Sequence, residues 1–271
     1  MPRSLVQVAA LAVAAVAAAA CGDNQDGPAC TGDVLFGAPN ANTGLTSAQC
    51  APTCTCAGEA WSPPAYGPAD VAALQAWELT DPPAELTANP YDGAAPPPPD
   101  PDAVCAVVVE DAAAHRYHLA DFATEDAARA AGAVPTHFGG CGVCSTLTDL
   151  AVYMANPDLT QPVRQCGLDH LNDPPADHIQ CLLDLGFTYP CAQIWYFNTI
   201  HTKDACAAPC FLALSQTYHE PDGTLNECLR CDEVESGPVF KAVAGRTRRN
   251  TGLASALCRP CSEVRPLVHA Y

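Results

Sequence analysis

The chain of 271 residues carries 30 acidic and 12 basic side chains, for a net charge of −18. A field of that sign repels phosphate backbones and anionic headgroups, which excludes nucleic acid as a partner and membrane attachment by charge. Seventeen cysteines, an aromatic content of only 7% and many alanines describe a thin core that needs covalent help, the pattern of a disulfide-stabilised secreted fold.

At the start, Arg3 precedes an apolar run from Leu5 to Ala20 that ends in small residues and then Cys21. The run has the length of a secretory h-region and falls short of the ~20 residues of a membrane span. It resembles a bacterial lipoprotein signal, which implies removal of residues 1–20 and acylation of Cys21; Ala18 stands where that family usually has leucine. Cysteine parity agrees, because the sixteen other cysteines can close eight bridges. The expected location is a bacterial cell envelope, with a lipid anchor in a membrane and the folded part in an oxidising extracytoplasmic space.

Residues 21–102 read as an N-terminal segment and stalk. Cys30, Cys50, Cys54 and Cys56 are spaced for a self-contained knot, and a helix is predicted over 69–79. Eight prolines over 81–102 exclude regular helix and predict an extended polyproline spacer.

Residues 103–271 read as a disulfide-rich, mostly helical domain with one small β-hairpin, formed by 103–110 and 115–122. Thr124 is placed to cap a helix that Gly132 stops. Further helices are predicted from Thr146 to Met154, from Thr160 to a stop at Gly167, from Asp173 to Gly186 and over 191–201. The segments ACAAPCFLALSQTY and LNECLRCDEV are two more, and PVFKAVAGRTRRN reads as a basic helix after the Gly237-Pro238 break.

Three C-x-x-C pairs, Cys141/Cys144, Cys228/Cys231 and Cys258/Cys261, suit two corners of a zinc tetrahedron in a reducing compartment. In an oxidising one they are structural disulfides, with a metal site or a reactive thiol as alternatives. GGCGVC, before a predicted helix, is similar to the nucleophile segment of papain-like cysteine proteases. That resemblance covers about twelve residues and implies Cys144 as nucleophile and Cys141 as a disulfide partner; apart from the resemblance, His137, two residues before the glycine pair, is best placed to assist a reactive Cys144. Ser145, Val143 and Phe138 depart from the family's pattern. Residues 103–271 as a whole resemble cysteine-rich predicted lipoproteins of myxobacteria, and no activity follows from that likeness.

Seven of the twelve basic residues fall between Arg230 and Arg265. Lys241, Arg246, Arg248 and Arg249 form an island of opposite sign, suited either to clamping a carboxylate or phosphate or to pairing with surface carboxylates. No H-E-x-x-H or comparable histidine motif occurs, and no metal or cofactor is expected. The expected function is a lipid-anchored binding module with an arginine-rich patch for an anionic small molecule or acidic partner. An extracytoplasmic thiol enzyme using Cys144 and a purely structural envelope protein are the alternatives.

Overall fold

The computed structural model describes residues 30–32, 34–94 and 96–271. Cys21 and the signal segment lie outside the described residues. Five short strands come first: β1 (Cys30–Thr31), β2 (Leu35–Phe36), β3 (Cys50–Ala51), β4 (Cys54–Cys56) and β5 (Glu59–Trp61). Helix α1 (Pro68–Gln75) and strand β6 (Glu78–Leu79) lead to the hairpin β7 (Val104–Asp111) and β8 (Arg116–Phe122), then α2 (Glu125–Ala130) and β9 (Val134–Phe138). The rest is helical: α3 (Leu147–Ala155), α4 (Thr160–Asp169), α5 (Pro175–Asp184), α6 (Tyr189–Ala205), α7 (Ala207–Leu212), α8 (Glu227–Glu235) and α9 (Gly237–Ala244). The two-residue strand β10 (Arg259–Pro260) closes the order.

The threonine caps act where the sequence puts them. Thr124 and Thr146 cap α2 and α3 by accepting from Ala127 N–H and Asp149 N–H. Gly167 does not stop α4. It sits where α4 crosses α6, and a Cβ there would meet Thr199 Cγ2 at 2.7 Å.

The expected single hairpin behind a stalk is overturned. The described residues form three small sheets, ordered β1-β4-β5, β10-β2-β3 and β6-β8-β7-β9. The hairpin is the centre of the third sheet, flanked by the two-residue β6 and by β9, an edge strand that tolerates Pro135. The N-terminal cysteines are not a closed knot either. Only Cys30–Cys56 is internal, whereas Cys50 and Cys54 bond Cys258 and Cys261, and β10 pairs with β2 beside them. The proline-rich segment is laid along α6 rather than standing free. Leu86 exchanges two hydrogen bonds with the Gln193 side chain, and Tyr91 donates to Asn198 and stacks on His201 at 4.4 Å.

One core joins the sheet to the helices. Val107 and Tyr117 pack with Leu147 and Leu150 of α3, Leu182 of α5, Ile194 of α6 and Phe240 of α9, all buried. Asp149 is buried among them and accepts from Thr146 Oγ1 at 2.7 Å and from the N–H of Thr188 at 2.8 Å, tying α3 to the start of α6. Burial dominates those hydrogen bonds and pushes its carboxyl up from 3.8 to about 6. The folded state therefore favours the proton more than the unfolded chain does. Stability should be highest, as far as Asp149 decides it, below about pH 4, and should fall by roughly 2–3 kcal/mol as pH rises through 4 to 6. Urea midpoints measured between pH 4 and 7 test this: Asp149→Asn should flatten the slope over that window, and an unchanged slope would rule Asp149 out as its source.

Candidate functional site

All sixteen cysteines among the described residues are paired, in eight disulfides. None of the C-x-x-C pairs closes on itself. Cys141 bonds Cys105, and Cys144, fully buried, bonds Cys191 at the start of α6. GGCGVC is thus a junction from which two bridges leave in different directions. Its Gly142 allows close docking on the end of α9: Val143 and Cys144 donate to the carbonyls of Val243 and Ala244, and a Cβ on Gly142 would meet Val243 O at 2.4 Å. A disulfide-bonded, buried sulfur offers no thiolate, so the nucleophile reading of Cys144 does not stand, while Cys141 is disulfide-bonded, to Cys105.

His137 is equally enclosed. Its Nδ1 lies 2.9 Å from the carbonyl of Phe138, which can only accept, so that nitrogen carries the proton. Its Nε2 then accepts from Ser145 Oγ at 2.7 Å. Burial, followed by the nearby Arg246 guanidinium, holds the imidazole well below its usual range and keeps it neutral. Both His137 and Ser145 are fully buried, so this pair is an interior brace without access to substrate. The grouping of Cys105, Asp121 and Cys141 is no metal centre, since both sulfurs share one disulfide and Asp121 accepts from Cys141 N–H.

The basic island divides. The helix α9 ends at Gly245, whose φ of +74° brings the chain against Gly142, so Arg246 and Arg249 do not share a helix face. Arg246 points inward and is 0% exposed. Its Nε donates to Cys144 O, its Nη1 to Thr136 O and its Nη2 to Thr136 Oγ1 and Ser145 O. No external anion can reach it. Arg248 donates to the carbonyls of Tyr153, Asn156 and Ala254, and burial lowers it to about 10. Arg249 faces Glu233 at 2.9 Å and Glu263 at 2.5 Å.

Arg248, Arg249 and Lys241 do converge on one feature, which the sequence did not announce. Helices α4, α6, α7, α8 and α9 leave between them an open cleft of about 880 Å³, at the upper end of the range for small-molecule sites. Its inner wall is apolar, with Leu159 and Val163, the aromatic pair Trp195–Phe240 at 4.6 Å, and Leu229. Its outer edge holds Leu168, Leu171, Phe211 and Leu214, all of them exposed.

The polar lining carries a sign opposite to that of the protein. Six of the chain's twelve basic residues line the cleft, namely Arg164, Lys203, Lys241, Arg248, Arg249 and Arg259, against three of its thirty carboxylates, Asp204, Asp232 and Glu233. Burial pushes Asp232 up, opposed by hydrogen bonds from Thr202 and Asn198. Burial also pushes Glu233 up, but Arg259, Arg249 and Lys241 outweigh it and hold the carboxyl at about 2. Among the described residues Arg164 and Lys203 have no carboxylate partner; Arg164 only lies over the Tyr218 ring, 5.7 Å from its centroid.

Sequence reasoning missed Arg164, Lys203, Arg259 and the cleft itself. One signal was present: CAQIWYFNTI is apolar on every side, which reads as a buried helix. Only its first half is buried; the second half, from Trp195 to Thr202, is half-exposed, and Trp195, Asn198, Thr199, Ile200 and Thr202 in it line the cleft.

No curated protein and no solved structure matches the chain. Residues 176–266 match a protein family of unknown function, DUF8771. That stretch runs from α5 to just beyond β10 and includes every cleft residue contributed by α6 to α9.

Proposed function

We propose that this is an extracytoplasmic binding protein whose cleft holds an anionic amphiphile, a molecule with a long hydrocarbon chain and a carboxylate or similar head. The observation that carries the reading is the reversal of charge around an apolar cleft in a chain of net −18. Burying the chain supplies affinity at about 25 cal/mol per Å². Unpaired cations supply the preference for an anionic head, because they need not give up a partner to receive one. Arg164 and Lys203 are the residues in that state; Lys241, Arg249 and Arg259 already share Glu233. Eight disulfides fit an oxidising extracytoplasmic location, and no helix among the described residues is long and apolar enough to cross a membrane. Acylation of Cys21 would hold the protein at a membrane surface.

The test is a titration of the oxidised protein with dodecanoate and with its methyl ester, followed through Trp195 fluorescence. Saturable binding is expected, with the carboxylate favoured by about tenfold, which corresponds to ~1.4 kcal/mol. Arg164→Gln together with Lys203→Gln should remove that preference and leave ester binding in place. Absence of saturable binding by either compound would end the proposal, and equal affinity for acid and ester in the unaltered protein would end the anionic part of it.

A further inference from the structure

We propose that the segment Phe211 to Leu214 inserts shallowly into a phospholipid surface, so that the cleft exchanges its amphiphile directly with a bilayer. This rests on the binding reading above and adds the source of the ligand.

α7 buries none of its own six residues. Two of the eight disulfides nevertheless hold it to α8, Cys206–Cys231 and Cys210–Cys228. A helix that adds nothing to the core but is bridged at its N-cap residue Cys206 and again at Cys210, just before Phe211, is being held out in position. The apolar side chains at its end and in the turn that follows stay in solvent: Phe211 is 75% exposed, Leu212 70% and Leu214, beyond the helix, 46%. Without the two bridges, burial of these side chains would draw the segment inward over the cleft it borders.

The position of the tip argues for a lipid occupant. Phe211 and Leu214 line the cleft mouth whereas Leu212, next to Phe211 in the chain, does not, so the exposed apolar tip adjoins the cleft. Between Asp204 and Glu220 the chain has no Asp, Glu, Lys or Arg, so the tip itself brings no charged side chain to the headgroups. The three side chains present on the order of 400 Å² of apolar surface, about half of the ~800 Å² that each partner buries in a stable protein complex. A patch of that size is too small for a lasting protein interface and sufficient for shallow, reversible insertion.

The experiment uses secreted protein with Cys21→Ser, which cannot be acylated, and phosphatidylcholine vesicles. A tryptophan placed by Leu212→Trp, outside the cleft lining, should shift to shorter wavelength when vesicles are added. Leu212→Glu should bind vesicles at least about tenfold more weakly and take up vesicle-borne dodecanoate correspondingly more slowly, while its affinity for dodecanoate free in solution stays unchanged. Unshifted Leu212→Trp emission with vesicles would overturn the tip proposal even if free dodecanoate binds. A shift that depends on protein concentration and not on vesicles would overturn it in favour of self-association. Failure of free dodecanoate to bind either protein would instead remove the binding reading beneath it.

Discussion

Removing both bridges that join the two ends of the chain, Cys50–Cys258 and Cys54–Cys261, is expected to cost far more than the two separate removals added together. The first bridge closes a loop of 208 residues. Bridges nested within it shorten the effective ring to on the order of 100 residues, which still leaves close to 5 kcal/mol of loop-closure entropy. Once either bridge exists, the other closes only the small ring made by Cys50–Cys54 and Cys258–Cys261, worth roughly 2–3 kcal/mol. Each single pair replaced by alanines should therefore lose roughly 2–3 kcal/mol, and the double replacement about 7–8, which exceeds the sum by about 2 kcal/mol. Against a total stability of about 5–15 kcal/mol, the double variant sits near the edge of folding. Urea denaturation of the four proteins gives the coupling directly, and simple additivity would refute the account of the N-terminal strands as held chiefly by these two bonds. The sheet β10-β2-β3 supplies little on its own, since its strands are two residues long.

That arrangement explains what the sequence revealed and what it hid. Cysteine parity pointed to eight bridges without Cys21, and eight are present among the described residues. Connectivity is a property of three-dimensional proximity, and nothing in the spacing of Cys50 and Cys54 reveals that their partners lie some two hundred residues away. Helices were legible because caps, prolines and glycines act within a turn or two. Strands of two residues have no periodicity to read, so β2, β3, β6 and β10 could not be seen. The proline-rich segment was legible as extended, but extension says nothing about whether a chain stands alone. Leu86 and Tyr91 decide that here, by binding α6. The basic island shows the same limit. Its composition marks it as unusual, yet side-chain direction depends on Gly245 ending α9, which sends Arg246 inward while Arg249 reaches Glu233.

Arg246→Met should accordingly be the most damaging single substitution within the basic island. The guanidinium is fully buried, and four of its donors meet Cys144 O, Thr136 O, Thr136 Oγ1 and Ser145 O at 2.7–3.0 Å. It thereby joins β9, the GGCGVC junction and the end of α9. A methionine of similar length fills the space but leaves three carbonyls without donors, each a loss of about 1–3 kcal/mol. Part of that is offset because a buried charge no longer has to be desolvated. The net loss should be about 3–5 kcal/mol, or a fall in Tm of roughly 6–20 °C. A change under ~1 kcal/mol would mean that the brace is dispensable. Arg164→Gln provides the contrast. That side chain is partly exposed and faces the cleft, so its loss should change stability by less than ~0.5 kcal/mol and register only in the preference for an anionic ligand. The same residue type thus has opposite consequences in the interior and at the cleft. Arg246 lends its donors to the fold and has none to offer a ligand, whereas Arg164, outside the island, keeps its donors available.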